Sequence, residues 1–312
     1  MLRYALARMM WFIPTLLGMT AITFIIMQLT PGSPFALGNM DRMTPQKIAE
    51  LEHLYGVDKP VWERFGLYLW NSLHGNFGES YVWRGQQVRE IISRTFPISL
   101  HLGAMAAVLA IVIGMTLGIL AAVNQNGVID YLSITVAILF YSMPNFVMGF
   151  LLILLFAVWL PDHGLDLGLR VSGWDSPKDW ILPTIALAAA PLATLARYTR
   201  SSMIDVIRSD YVRTARAKGV AERKVVMKHV LKNALIPVVT LVGPIFAAVG
   251  TGSFFVEKIF NVPGMGKFYV ESMQTKDQPM ILAVTLVYGV FLAGMNLLVD
   301  LTYGLIDPRI RY

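Results

Sequence analysis

Six long stretches of this chain contain no Asp, Glu, Lys or Arg, and no other feature of the sequence restricts the fold as much. They run from Met9 to Met40, Thr95 to Ile129, Tyr131 to Pro161, Trp180 to Ala196, Asn233 to Val256 and Gln278 to Val299. Each supplies the roughly 17 to 25 apolar residues that a helix needs to cross a bilayer core, where every backbone polar group must be satisfied within the segment. The fourth is the shortest and leans on the flanking Arg197. Composition points the same way: 55% hydrophobic residues with 15% charged, over 312 residues, is too apolar for a water-soluble chain and too poor in charge for a disordered one. The absence of cysteine removes disulfides, thiolate metal sites and thiol nucleophiles. The first stretch reads as a retained helix, because it is longer than a signal-peptide core and no clear small-residue cleavage site follows it. The expected fold is all-α, a polytopic membrane protein with six transmembrane helices.

Six crossings place both termini on one face, together with the turn at Asn124 to Asp130 and the segment Arg197 to Lys232. That face carries 14 basic residues against 6 acidic ones, a balance of +8, whereas the opposite face carries 12 basic and 14 acidic, a balance of −2. The basic excess marks the cytoplasmic side. Orientation therefore accounts for the whole net charge of +6, with no nucleic-acid partner required.

On the outer side, residues 31 to 94 are long enough for structure of their own. Thr44 and Pro45 form a helix start, Gly56 stands where a stop is expected, and a second helix begins at Pro60 with Trp62, Phe65, Leu69 and Leu73 on one face. This segment serves either as a cap on the membrane helices or as a docking surface for an external partner.

Chemistry is sparse. The five histidines, His53, His74, His101, His163 and His229, include no i, i+4 pair and no H-E-x-x-H. Asp162, His163 and Asp166 cluster in a Gly-rich outer loop, where solvated polar residues are expected. The six stretches hold no Asp, Glu, Lys or Arg of the kind that ion-coupled transporters place mid-membrane; Asp300 lies near the inner end of the last, His101 near the outer end of the second, and Asn145 and Asn296 are polar without being ionisable. Pro263 to Phe268 superficially matches a phosphate loop, but Asn261 and Phe268 stand where Gly and Ser or Thr are required, so it reads as a turn. A membrane enzyme is disfavoured on these grounds. Gly114 and Gly118 form a small-x-x-x-small pair, and Pro144, Pro183, Pro191 and Gly243-Pro244 interrupt the spans, which suits close helix packing and movement.

The inner segment is the most informative part of the chain. Asp210-Tyr211-Val212-Arg213-Thr214-Ala215-Arg216-Ala217-Lys218 reads as a short helix with its acid first and its cations last, the favourable sense for the helix dipole, and Gly219 stops it. A second helical run, Glu222 to Leu235, leads into the fifth span. The physics leaves two readings open: a knob presented to a cytoplasmic partner, or a basic loop on anionic membrane lipid.

The run from Asp210 to Pro237 resembles the ATPase-coupling loop of ABC importer permeases in the oligopeptide and dipeptide branch. Against the broad importer motif E-A-A-x-x-x-G-x9-I-x-L-P, Arg213-Thr214-Ala215 stand in place of Glu-Ala-Ala and Gly219 matches. His229 replaces Ile, and Leu231-Lys232 replaces Leu-Pro, with a proline only at Pro237. No glutamate contact therefore carries over to Arg213. The resemblance extends through Arg8 to Pro34, Leu54 to Pro60, Leu73 to Gly78, Ile259 to Gly266 and Leu305 to Tyr312, and is closest to the B-type permease of oligopeptide importers.

The resemblance implies a type I ABC importer permease fold. It divides the chain into residues 1–95, the first transmembrane helix (about 9–30) plus the outer segment (about 31–95), and residues 96–312, a five-helix core with the coupling loop at about 197–235. The implied role is a non-catalytic subunit forming the path for oligopeptides, the alternatives being dipeptides, nickel, glutathione or another small solute. Implied partners are a homologous second permease, two cytoplasmic ATP-binding subunits that hold the ATP and Mg, an external peptide-binding protein and its peptide, and membrane lipid; no cofactor is expected on this chain. Implied coupling residues are Asp210, Tyr211, Arg213, Thr214, Ala215, Arg216, Ala217, Lys218, Gly219 and Val220. The location implied is the bacterial inner membrane, multi-pass, with both termini cytoplasmic.

The charge balance yields a direct test of orientation. Reporters fused near Lys178 and Lys276 are expected to be translocated, whereas reporters near Gly127, Gly219 and Tyr312 stay inside. Translocation of the Tyr312 fusion breaks the six-span reading.

Overall fold

The computed structural model describes residues 2–31, 46, 50, 53, 56–250 and 252–306. Among these residues the chain is built from helices and turns, with a single isolated bridge between Glu79 and Gln87. In chain order the helices are α1 (Leu2–Leu29), α2 (Val61–Leu73), α3 (Val88–Val123), α4 (Val128–Ser142), α5 (Asn145–Asp162) and α6 (Pro177–Ile207). They continue as α7 (Asp210–Ala217), α8 (Glu222–Ala234), α9 (Ile236–Val249), α10 (Phe254–Ile259), α11 (Met265–Thr275) and α12 (Gln278–Ile306). A π-helical turn interrupts α5 at Leu154–Trp159 and α8 at Val225–Val230.

Five of these, α1, α3, α5, α6 and α12, are long and apolar enough to cross a membrane, and α8 with α9, bent by 51° at their break, brings the number to six when the pair is counted as one span. The charge-free stretches thus mark the spans without fixing the helix bounds. The stretch from Tyr131 to Pro161 is two helices: Pro144 lacks an N–H and pushes Met143 to an extended backbone (φ −90°, ψ 127°), so α4 ends at Ser142 and α5 alone has spanning length. The stretch from Asn233 to Val256 is helical in α9 only to Val249, and Gly252 then adopts φ +75°. The shortest stretch lies inside one of the longest helices. α6 has 31 residues because it continues past the apolar run at both ends, starting with Pro177 at its first turn and the Asp179 carboxylate on the Ser176 N–H at 2.8 Å.

The core is the seam between α3 and α6, the most extensive helix pair among the described residues. Small residues build it: Ala106, Ala107 and Ala110 on α3 face Ala186, Ala188 and Ala189 on α6, all buried. At Gly118 a Cβ would stand 2.5 Å from the Ala196 carbonyl oxygen and 2.6 Å from Thr199 Cβ; at Gly114 it would stand 2.6 Å from the Leu192 carbonyl oxygen. Without a hydrophobic drive between helices in lipid, this closeness of backbones is what van der Waals attraction requires.

Ion pairs close the end of the bundle at which α6 finishes and α4 begins. Arg200 of α6 grips Asp130, at the start of α4, through Nε at 2.5 Å and Nη2 at 2.7 Å, and Asp130 also accepts the Asn126 N–H at 2.9 Å. Arg8 of α1 pairs with Asp300 of α12 at 2.7 Å. At the opposite end the buried Asp277 accepts the Ser80 hydroxyl, the Tyr81 N–H at 3.2 Å and the Met280 N–H at 3.4 Å, tying the segment before α3 to the start of α12. Burial pushes this carboxyl above its ordinary pKa.

In the outer segment, α2 starts directly after Pro60 and Gly56 has φ +65°, as the sequence leads one to expect. The predicted apolar stripe does not all turn inward, however. Phe65 meets Phe24 of α1 at 5.2 Å, while Trp62 and Leu73 are 79% and 81% exposed. The helix start at Thr44 and Pro45 lies outside the described residues.

If the α3–α6 seam carries the fold, Gly118→Val must force two backbones apart. A stability loss of about 1–3 kcal/mol is expected, read as a lower thermal midpoint in detergent. Gly294→Ala, where a Cβ meets nothing within 4 Å, is the matched control and should leave the midpoint unchanged.

Candidate functional site

All ten candidate coupling residues fall in one small unit at the C-terminal end of α6. After Ile207 the chain turns at Arg208 and Ser209, and the Ser209 carbonyl accepts the N–H groups of Val212 and Arg213, starting α7. Asp210 stands in the first turn and Arg216 in the last, so both charges oppose the helix dipole ends. Gly219 then takes φ +75°; its N–H reaches the Arg216 carbonyl at 2.9 Å, and the Val220 N–H reaches the Ala215 carbonyl at 3.3 Å. That left-handed stop is the one the sequence predicts.

The unit is anchored from below. Val212 and Ala215 are buried in a cluster with Met203 and Ile204 of α6, Val225, Val230 and Ala234 of α8, and Ala122 at the end of α3. Val220 packs on the same cluster. Arg216 bridges the turn to Glu222 of α8 with two bonds, Nε to Oε2 at 3.0 Å and Nη2 to Oε1 at 2.6 Å. Tyr211 OH accepts from Asn233 Nδ2 at 2.9 Å, linking α7 to α8 again.

What remains exposed is an arc of mixed charge. Asp210, Tyr211, Arg213, Thr214, Ala217, Lys218 and Gly219 face solvent, with the Asp210 carboxylate and Arg213 guanidinium 3.8 Å apart. Of the ten residues, Ala215 and Val220 turn toward the supporting cluster and Arg216 is held by Glu222, so these three position the knob and the other seven form its surface. Sequence reasoning missed the supports. Glu222 was visible as an acid just beyond the glycine stop, and Asp130 as a single carboxylate opening the third apolar stretch on an otherwise basic face; their partners Arg216 and Arg200 could not be read from spacing.

The other polar features resolve into local bonding. His163 Nδ1 lies 2.7 Å from the Trp159 carbonyl with its ring stacked on Trp159, and Asp166 accepts the Gly168 N–H at 2.7 Å. His101 packs edge-on against Trp174 and Trp180. The stretch that superficially matches a phosphate loop is a turn opening α11, and its Gly266 N–H is taken by the chain's own Glu257 carboxylate at 2.8 Å. Among the described residues no group of three or more His, Cys, Asp or Glu is arranged to hold a metal.

Family profiles match nearly the whole chain: "Binding-protein-dependent transport system inner membrane component" over residues 114–312, and the N-terminal region of such membrane components over residues 1–103. The chain belongs to this family. The permease is 43% identical over 312 residues to the dipeptide transport system permease protein of Bacillus subtilis, covering 100% of this chain and 98% of the relative. It is 38% identical over 315 residues to the oligopeptide transport system permease protein of Escherichia coli, covering 100% of both chains. Among solved structures it resembles an amino acid ABC transporter, with TM-score 0.52 and 15% identity over 68% of this chain and 92% of that one. A second likeness is to the inward-facing MetNI methionine ABC transporter, with TM-score 0.51 and 16% identity over 70% of this chain and 96% of that one. These likenesses establish the importer permease fold, and the permease is a multi-pass membrane protein.

The buried side of α7 sets the rigidity of the knob. Val212→Ala removes a fully buried side chain whose burial contributes about 1.5–3 kcal/mol. Hydrogen exchange at amides 210–219 should accelerate, while exchange in α3 and α6 stays as in the parent protein.

Proposed function

We propose that the permease is one of two homologous membrane subunits of an ATP-driven peptide importer, and that the arc from Asp210 to Gly219 is where the cytoplasmic ATP-binding subunits engage it. The observation that carries this is the anchored knob. An eight-residue helix has been placed at the end of α6, the helix that forms the core seam, and fastened to α3, α6 and α8 by one apolar cluster and two polar links. A force applied at the arc therefore reaches the α3–α6 seam through packed side chains, with little lost in bending a loop.

A loop held to anionic lipid needs only its basic residues, with no fixed geometry. The arc instead combines Asp210 with Arg213 and Lys218, and it has a left-handed stop that fixes its end. Those features favour a protein partner over lipid as its principal contact.

In this reading both termini and the knob are cytoplasmic in a bacterial inner membrane. The second permease completes the path, ATP and Mg bind in the ATP-binding subunits, and an external binding protein delivers the peptide. ATP-driven closure of the ATP-binding pair pushes on the arc and turns the helices from inward-facing to outward-facing; hydrolysis resets them. Peptide is the common term of the relatives' dipeptide and oligopeptide names, and the binding protein, which meets the ligand first, selects between them.

Gly219 separates the coupling reading from the lipid reading. A Cβ there meets nothing within 4 Å, so substitution acts through the backbone alone. A β-branched residue at φ +75° costs about 1–2 kcal/mol, and asparagine much less. Gly219→Val should reach the membrane normally yet lose peptide uptake, with the ATP-binding subunits lost on purification or hydrolysing ATP without transport; Gly219→Asn should retain most uptake. Normal uptake and normal retention in Gly219→Val would favour lipid contact.

A further inference from the structure

Between the fifth and sixth spans the chain folds into a hairpin of two short helices, α10 and α11, joined through Asn261 at φ +51°. At its centre lies Glu257, 0% exposed, a buried carboxyl that the proposed import cycle does not use. Its Oε2 accepts the Gly266 N–H at 2.8 Å, and the Ser99 hydroxyl of α3 lies close by, since a Cβ on Gly264 would collide with both groups. Ser99 Oγ in turn accepts the Met265 N–H at 2.8 Å. The backbone wraps the group so closely that a Cβ at Gly252, Gly264 or Gly266 would collide with one of its oxygens. Its other oxygen, Oε1, has no hydrogen-bond partner, and neither has the buried Tyr288 hydroxyl of α12.

We propose that Glu257 is the positioning residue of this outer hairpin: one buried carboxyl group, set between α10, α3 and the start of α11, keeps the hairpin seated over the outer end of the bundle. The inference rests on the outer placement of residues 257–277 in the orientation proposed above.

A proton matters here because Oε1 is buried without a donor, which penalises the anion. Burial pushes the carboxyl up to about 7 from 4.5, against the pull of Ser99, Gly266 and Lys267. In a hairpin lifted into water the group returns to its ordinary value. The seated form therefore binds more protons between about pH 4.5 and 7, and seating weakens as pH rises through that window, by up to about tenfold per unit, and is flat above it. The neighbouring titratable groups are Tyr288 on α12 and Tyr269 and Lys267 on α11, with Lys267 bonded to Asn261. On α10 itself, Lys258 is paired with Glu271 of α11. On α3, Arg94 bonds Gln86, and His101 lies two residues beyond Ser99 against two tryptophans.

The cysteine-free chain allows a direct test in the intact importer in sealed vesicles. A thiol introduced by Val262→Cys, at a position 0% exposed in the hairpin turn, reports lifting; one introduced by Phe255→Cys, at a position 59% exposed, is the reference. Both are labelled from outside with a membrane-impermeant methanethiosulfonate, and the ratio of their rates cancels the thiol's own ionisation. The ratio should rise several-fold between outer pH 5 and 7 and then level off. Glu257→Gln should hold it low and flat, His101→Gln should leave the profile unchanged, and Ser99→Ala, which removes a nearby hydroxyl that favours the anion, should extend the rise to higher pH. A flat ratio with Glu257 present, or the same rise in Glu257→Gln, overturns the proposal. If Glu257→Gln does not assemble, the parent profile and the Ser99→Ala shift decide. Labelling of Phe255→Cys only from the inside would instead show that the orientation is reversed, and the same ratio would then be read from that side.

Discussion

The close approach of α3 and α6 is the contact on which the rest of the structure depends. In a bilayer two helices gain little from hiding apolar surface, because lipid is as apolar as they are; they gain from van der Waals contact, which rises as the backbones approach. Gly114 and Gly118 set the distance, and the buried alanines along both helices keep it. Once α6 is fixed against α3, Arg200 is brought to Asp130, so the turn between α3 and α4 is held to the same body. The C-terminal end of α6 then delivers α7 onto a cluster that includes Ala122 at the end of α3.

The breaks in the helices are as informative as the helices. Pro144 splits a stretch that composition alone would make one span, and α8 meets α9 at 51° beside Pro237. Around the α10–α11 hairpin Gly252, Gly264 and Gly266 let the backbone close around a carboxyl group. Proline and glycine do different work here. Proline removes a backbone donor and ends or bends a helix, whereas glycine admits a left-handed backbone or another atom where a side chain would stand.

Charges sit where the fold can use them. Arg8–Asp300 and Arg200–Asp130 close helix pairs at one end of the bundle, Arg216–Glu222 closes the knob, and Lys258–Glu271 closes the α10–α11 hairpin. Most are at least partly exposed, and an exposed pair contributes little to stability; what they supply is register between elements. Asp130 is the exception, 1% exposed, and its two bonds from Arg200 and one from Asn126 satisfy a carboxylate that burial would otherwise penalise.

By itself the sequence determined what local chemistry dictates. Charge-free stretches marked the membrane crossings, because a polar group in hydrocarbon costs too much to hide. Gly219 after an acid-first, cation-last run marked the knob, because few residues other than glycine take a left-handed stop without strain. Only the tertiary structure decided where the apolar stretches become helices, since Pro144 and the α8–α9 bend act through backbone geometry that hydropathy does not register. It also decided which way Ala215 and Val220 face, that Trp62 and Leu73 of the outer stripe stay exposed, and that Glu257 is buried. Glu257 follows the fifth apolar stretch directly and reads as an ordinary outer-face acid; what sets it apart is the approach of Ser99, 158 residues earlier in the chain, and of Gly266 nine residues later. Contacts between residues so far apart depend on packing, and packing has no signature in spacing or composition.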